Sequence, residues 1–294
     1  MNLLQFLRAE PAWWLAAGAV LGLVVGSFLN VVIHRLPRMM QARWRSECLE
    51  YLREQGETGL PGPEPAPFGL VSPRSRCPRC GHAIGALENV PVLSWLWLRG
   101  RCRACGAPIS ARYPVVELLT GILFAACAWR FGVSAAAVGA MLLTGALVAL
   151  TFIDLDHQYL PDEITLPWLW AGLLLNLGGT FVPLQEAVIG AAAGYLVLWS
   201  VYKIFKAVTG KEGMGHGDFK LLALLGAWLG WGALPGIVLI SSVIGAATGL
   251  ALIALGRQGR EKPIPFGPYL AGAGWIMLLW GDDINRAYLA WLAG

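Results

Sequence analysis

Gly213-Met214-Gly215-His216-Gly217-Asp218-Phe219-Lys220 opens an apolar run that ends at Trp231. Ile153-Asp154-Leu155-Asp156-His157-Gln158-Tyr159-Leu160-Pro161-Asp162 closes another. Each stretch sets a carboxylate where strongly apolar sequence meets a polar loop. A carboxylate beside hydrocarbon loses hydration, so it is costly and is usually retained for a task. Two such groups brought together cannot both ionise easily. Sharing one proton across the pair is how aspartic proteases activate water. The pattern points to acid chemistry at a membrane surface.

Working outward, the 294 residues are 56% hydrophobic and only 14% charged. Soluble domains carry about a quarter charged residues, so a polytopic, all-α membrane protein is expected. The stretch 11–33 is too long for the apolar part of a signal peptide and reads as an uncleaved span. Further spans are expected at 115–129, 134–153, 164–177, 184–205, 219–231, 234–255 and 268–289, about eight helices in all. The run 219–231 gives about 20 Å of helix against a hydrocarbon core of about 30 Å. A glycine-rich turn that dips below the membrane surface and carries Asp218 with it resolves the mismatch, provided that protein or a wet cavity covers the turn.

Basic residues orient these spans. With eight helices, the arginines between the first two spans, Lys203, Lys206, Lys211 and Lys220, and Arg257, Arg260 and Lys262 share one side. Only Arg8, Arg130 and Arg286 fall on the other. The crowded side is then cytoplasmic, and both acidic motifs lie on it. As topology markers these residues account for the net charge of +4, and no nucleic-acid partner is expected.

Three regions follow: a first transmembrane helix (1–33), a cytoplasmic loop domain (34–112) and a seven-helix core (113–294). The loop domain begins with a helix over 39–55 whose Met40, Trp44, Cys48, Tyr51 and Leu52 share one face, a pattern that suits either a membrane interface or packing on the domain itself. The proline-rich stretch 60–67 reads as a linker. Cys77-Pro78-Arg79-Cys80-Gly81 and Cys102-Arg103-Ala104-Cys105-Gly106 then form two CxxC pairs, each followed by glycine. Four thiolates close a tetrahedral structural Zn²⁺ site with no open position. Two disulfides, the alternative, conflict with a cytoplasmic location. Cys48 and Cys127 are expected to pack rather than react.

Among the acids, Asp162 is expected to cap the fourth span. Spacing does not separate Asp154 from Asp156, because residues two apart on a helix point to different faces. His157 and His216 read as solvated loop residues. Lys220 can lie near Asp218 or face lipid headgroups. Glu117, an acid within the second span, has Arg112 and Tyr113 as candidate local partners, and a role in substrate binding stays open. No GxGxxG, P-loop or Ser/His/Asp pattern appears.

The sequence resembles the type IV prepilin leader peptidase and N-methyltransferase family over nearly its whole length. The resemblance rests on Gly26-Ser27-Phe28-Leu29-Asn30-Val31-Val32-Ile33-His34-Arg35-Leu36-Pro37, the four cysteines, Arg112-Tyr113-Pro114 with Glu117, both aspartate motifs, and Pro263-Ile264-Pro265-Phe266-Gly267-Pro268. Gly215-His216-Gly217-Asp218 is also the signature of the wider group of intramembrane aspartyl proteases that includes presenilin.

The resemblance implies that Asp154 and Asp218, not Asp156, form the catalytic pair. It implies an enzyme of the bacterial inner membrane that cuts the basic leader from prepilins and from type II secretion pseudopilins at the cytoplasmic face. The new amino terminus is then methylated from S-adenosylmethionine, and Gly100 matches a glycine associated with that transfer. Membrane lipid surrounds such an enzyme. An ion-coupled transporter relaying protons through Asp154, Asp218 and Glu117 is the competing reading.

Overall fold

The computed structural model describes residues 3–62, 69–256 and 264–293. Among them the chain forms α1 (Leu3–Ala9), α2 (Pro11–Glu54), α3 (Leu93–Trp97), α4 (Arg112–Phe131) and α5 (Ala135–His157). There follow α6 (Asp162–Asn176), α7 (Leu184–Thr209), α8 (His216–Leu229), α9 (Leu234–Ala254) and α10 (Gly267–Ala293). The described residues form no strand, only two isolated bridges. Most of the proline-rich stretch 60–67 and the basic residues Arg257, Arg260 and Lys262 lie outside the described residues.

Among the described residues five helices are long and apolar enough to cross a membrane: α2, α4, α5, α7 and α9, the last together with the turn from Trp231. The other three expected spans coincide with α6, α8 and α10, so each of the eight apolar runs is a helix. The helix expected over 39–55 does not start separately. It continues from the first span through Pro37 as the 44-residue α2. Met40 is buried, while Trp44, Cys48, Tyr51 and Leu52 are exposed, as an interfacial face requires. Cys48 therefore does not pack, contrary to expectation.

The chain divides into two compact units. Ala17–Leu123 forms the cysteine unit, and Met1–Ala16 with Phe124–Gly294 forms the aspartate unit. Within the aspartate unit, α8 is the innermost element and packs on α6, α7 and α10. Its Phe219, Leu221, Leu222, Leu224, Leu225 and Trp228 are all fully buried. Gly190 of α7 and Gly226 of α8 let these two helices touch backbone to backbone, since a side chain on either would collide with the other's main chain. That small-residue contact is how helices associate where no water drives them together.

At 14 residues, α8 is about 21 Å long. It is too short to cross hydrocarbon alone, but protein surrounds it. The lipid-type surface lies elsewhere: Val188, Ile189, Leu196, Val197, Val201 and Ile204 of α7 are exposed, as are Leu239, Val243 and Leu250 of α9.

Candidate active site

Asp154 lies on the last turn of α5, a helix buried over most of its circumference. Ser134 caps its start by accepting the Ala137 N–H at 3.1 Å. Gln158, left-handed at φ 57°, ends it and donates its N–H to the Asp154 carbonyl. The side chains at this end diverge: Asp154 is 5% exposed, whereas Asp156 and His157 are exposed. Burial thus separates the two aspartates that spacing leaves equivalent.

Asp218 opens α8 one turn after the Gly215 N-cap and is 8% exposed. Its N–H reaches back to the Gly215 carbonyl at 3.3 Å. Leu160, from the loop between α5 and α6, is wedged against both motifs. A Cβ at Gly217 would meet Leu160 at 3.0 Å, and one at Gly267 would meet it at 3.2 Å.

Gly267 begins α10 and donates its N–H to Asp154 Oδ2 at 3.0 Å. A Cβ there would stand 2.6 Å from the same oxygen. Gly267 thus brings bare backbone up to a carboxylate.

Two expectations change. Asp162 does not cap α6, because Pro161 holds the N-cap position and no side chain caps there. Its carboxylate instead takes Lys220 Nζ on both oxygens at 2.7 Å, tying the start of α6 to α8. Lys220 is thereby paired away from Asp218 and from headgroups alike. His216, although exposed, contacts the rings of Tyr202 and Phe219 at 5.2 and 5.4 Å.

The cysteine unit holds the second constellation. Cys77, Cys80, Cys102 and Cys105 bring their sulfurs within 4.8 Å of one another. Cys77 Sγ lies 3.8 Å from Cys105 Sγ, and Cys80 Sγ lies 4.0 Å from Cys102 Sγ. A tetrahedron of Zn–S bonds of about 2.3 Å has edges of about 3.8 Å, so the donor set fits zinc in both chemistry and spacing.

The two cysteine pairs are built alike. In each, the first cysteine donates its N–H to a carbonyl five residues on: Cys77 to His82 and Cys102 to Ala107. The glycine after the second cysteine, Gly81 or Gly106, returns its N–H to the first. All four cysteines are free thiols, as are Cys48 and Cys127, and Cys127 is buried against Thr144 Oγ1 at 3.4 Å.

Gly100 precedes the second pair with φ 66°, and a Cβ on it would stand 2.9 Å from the Trp95 ring. Glu117 is buried, but neither Arg112 nor Tyr113 is the partner seen. Its Oε2 accepts the Val92 N–H at 2.8 Å, and the Ser27 side chain reaches the same carboxylate.

Residues 20–131 match the family described as the Bacterial Peptidase A24 N-terminal domain, and residues 141–250 match the Type IV leader peptidase family. A prepilin leader peptidase/N-methyltransferase of Aeromonas hydrophila is 58% identical over 287 residues, 98% of either chain. That of Pseudomonas aeruginosa is 53% identical over 290 residues, again 98% of both. A Burkholderia pseudomallei protein of the same name is 55% identical over 95% of this chain and 89% of its own. No solved structure matches the chain.

Proposed function

Since this chain belongs to the Type IV leader peptidase family, we propose that it removes the leader from prepilins and pseudopilins and N-methylates the new amino terminus, with Asp154 and Asp218 as the catalytic pair of the first reaction. The observation that carries this reading is a pair of buried carboxylates, Asp154 and Asp218, whose motifs meet across Leu160 in one apolar helical core. The ionised member of the pair takes a proton from water, whose oxygen attacks the scissile carbonyl. The protonated member polarises that carbonyl and then delivers a proton to the departing amine as the C–N bond breaks. The two carboxyls titrate as one coupled system. The Gly267 N–H steadies Asp154 Oδ2, so one oxygen of that carboxylate is oriented before substrate arrives.

Eight spans in the inner membrane, with the basic loops and both aspartate motifs at the cytoplasmic face, suit a substrate whose basic leader precedes an apolar helix. Cys77, Cys80, Cys102 and Cys105 would hold a structural Zn²⁺, which would tie the two cysteine turns together. S-adenosylmethionine, when bound, supplies an electrophilic methyl group for the free amine. Gly100 belongs to this second activity. The donor needs no proton-sharing dyad, only proximity and alignment.

The test is mass spectrometry of a co-expressed prepilin, which reads cleavage and methylation together. Wild-type enzyme should yield mature, methylated product. Asp154→Asn and Asp218→Asn should each cut cleavage by at least about 100-fold, while Asp156→Asn stays near wild type. Asp154→Asn enzyme should still methylate a pre-cleaved pilin. An active Asp218→Asn enzyme would end the dyad assignment.

A further inference from the structure

The cysteine unit encloses a cavity of about 700 Å³, within the range of about 300–1,000 Å³ that small-molecule sites occupy. It abuts the cysteine cluster through Cys77 and Cys102, and the aspartate pair does not line it. Its walls come from four parts of one unit: α2, the stretch 73–94 with the first cysteine pair, the segment from Trp95 to Tyr113 that carries the second pair, and Glu117 of α4. Three features of the lining are individually unusual, and together they describe a ligand.

The first is Glu117. It is 8% exposed and lies on an apolar helix, where a carboxylate is expensive. It is nevertheless built in. The Val92 N–H donates to Oε2, and Val92 itself is held at φ 60° to do so. A β-branched residue at positive φ is a conformational outlier that persists only where its surroundings impose it. Two donors, Val92 N–H and Ser27, leave a carboxylate with acceptor capacity to spare. Glu117 also lines the cavity.

The second is Trp95. Its Nε1 is spent on the Ile109 carbonyl at 3.2 Å, which fixes the plane of the indole at the cavity wall. The turn at Gly100 packs on the ring so closely that even a methyl group there would displace it. A polar edge already satisfied leaves the aromatic face as the group on offer, and such a face stacks on flat bases.

The third is a set of guanidinium groups, Arg35, Arg38, Arg74, Arg76 and Arg103, around the same space. Arg35 is anchored by the carbonyls of Gly69 and Pro73 at 2.9 and 2.8 Å, so its positive charge is held in position. Such a lining suits a ligand bearing a carboxylate, which guanidinium recognises well, and repels a basic peptide.

A flat aromatic base, a cationic centre and a free carboxylate occur together in S-adenosylmethionine. We infer that this cavity is the methyl-donor site, with Trp95 as the platform for the base and Glu117 as the counter-charge for the sulfonium. The inference rests on the proposed methyl-transfer activity and adds its location.

The test is ultraviolet crosslinking of radiolabelled S-adenosylmethionine to unmodified, zinc-loaded enzyme, followed by peptide mapping, with equilibrium binding by calorimetry on variants. Label should fall in the stretches 26–38 or 73–117. Trp95→Ala and Glu117→Gln should each weaken binding about tenfold or more. Trp97→Ala, an exposed residue outside the cavity, should bind as wild type. Zinc content and helicity establish that each variant is folded. Label confined to 124–294, or undiminished binding by both cavity variants, overturns the location while leaving the donor intact. Failure of wild-type enzyme to bind the donor at all would overturn the donor assignment itself, and the location with it.

Discussion

Asp154 and Asp218 are held by packing, whereas Cys77, Cys80, Cys102 and Cys105 are held by turns. Around the aspartates, fully buried side chains come from α5, α8 and α10, including Leu150, Ile153, Phe219, Leu222 and Leu270. Around the cysteines, the buried core of the knuckles is Cys77, Cys102 and Ala107. A site of the first kind has its geometry fixed by many small contacts, each replaceable. The second kind has little apolar area to fix it, so on the proposed zinc assignment the metal would provide the folding free energy. The aspartate site should therefore answer to changes of shape, and the cysteine site to loss of its metal.

The sharpest way to break this contrast is Gly267→Ala. The added methyl would have to displace the Asp154 carboxylate, 2.6 Å away. A displacement near 1 Å at a catalytic group can cost about 100-fold in rate. Leader cleavage should fall by roughly that factor while zinc content stays unchanged, as assays of purified enzyme will show. Near-normal cleavage would mean that the α10 backbone yields easily and that packing does not fix the site.

Chelation probes the other side. Stripping metal from the four cysteines should open the segment 76–109 to limited proteolysis, while circular dichroism of the membrane helices changes little. Metal analysis should give about one zinc per chain, and any single Cys→Ser change should lower it. Unaltered protease resistance after complete chelation would show that the turns hold by themselves.

A smaller effect tests whether ion pairing contributes to the aspartate site. The Lys220–Asp162 pair is 30% and 48% exposed, so solvent screens it to about 0–1 kcal/mol. Asp162→Asn should lower the unfolding midpoint slightly and leave cleavage within about fivefold of wild type. A collapse of activity would make Lys220 a positioning residue for Asp218.

The smallest expected effect lies near the cysteines. Glu88 accepts the Gly85 N–H at 3.1 Å, pairs with His82 and faces Arg103. These contacts, the backbone donor first, hold its carboxyl below the usual range. A carboxyl lowered in the folded state stabilises it fully above the ordinary value and loses that contribution as pH falls through the lowered one. Glu88→Gln should therefore speed amide exchange at Gly85 at neutral pH. The difference from wild type should fade in acid, and one that persisted there would point to steric disruption rather than charge.

Much of this was readable from the residues. The eight apolar runs are all helices, because long apolar stretches in a chain this poor in charge have no other way to satisfy their backbone. The cysteine cluster followed from two CxxC turns, a local pattern that carries its own geometry. Asp162 was misread because a carboxylate beside a helix start satisfies the local rule for a cap. Its actual partner, Lys220, is 58 residues away, and local rules hold no information at that range. Glu117 was assigned neighbours on its own helix for the same reason.

Composition, period and motif spacing determined that this is a helical membrane protein with two acidic motifs at helix ends and a cluster of four cysteines, since each of those signals acts over a few residues. Only the tertiary structure decided that Asp154 rather than Asp156 points inward, that Gly267 delivers a backbone N–H to it, and that Trp95, the arginines and Glu117 line one cavity. Those relations depend on how α5, α8 and α10 rotate against one another, and on how α2 and α4 meet the cysteine turns. Packing sets such rotations, because the hydrophobic effect rewards buried area without specifying which side chains meet.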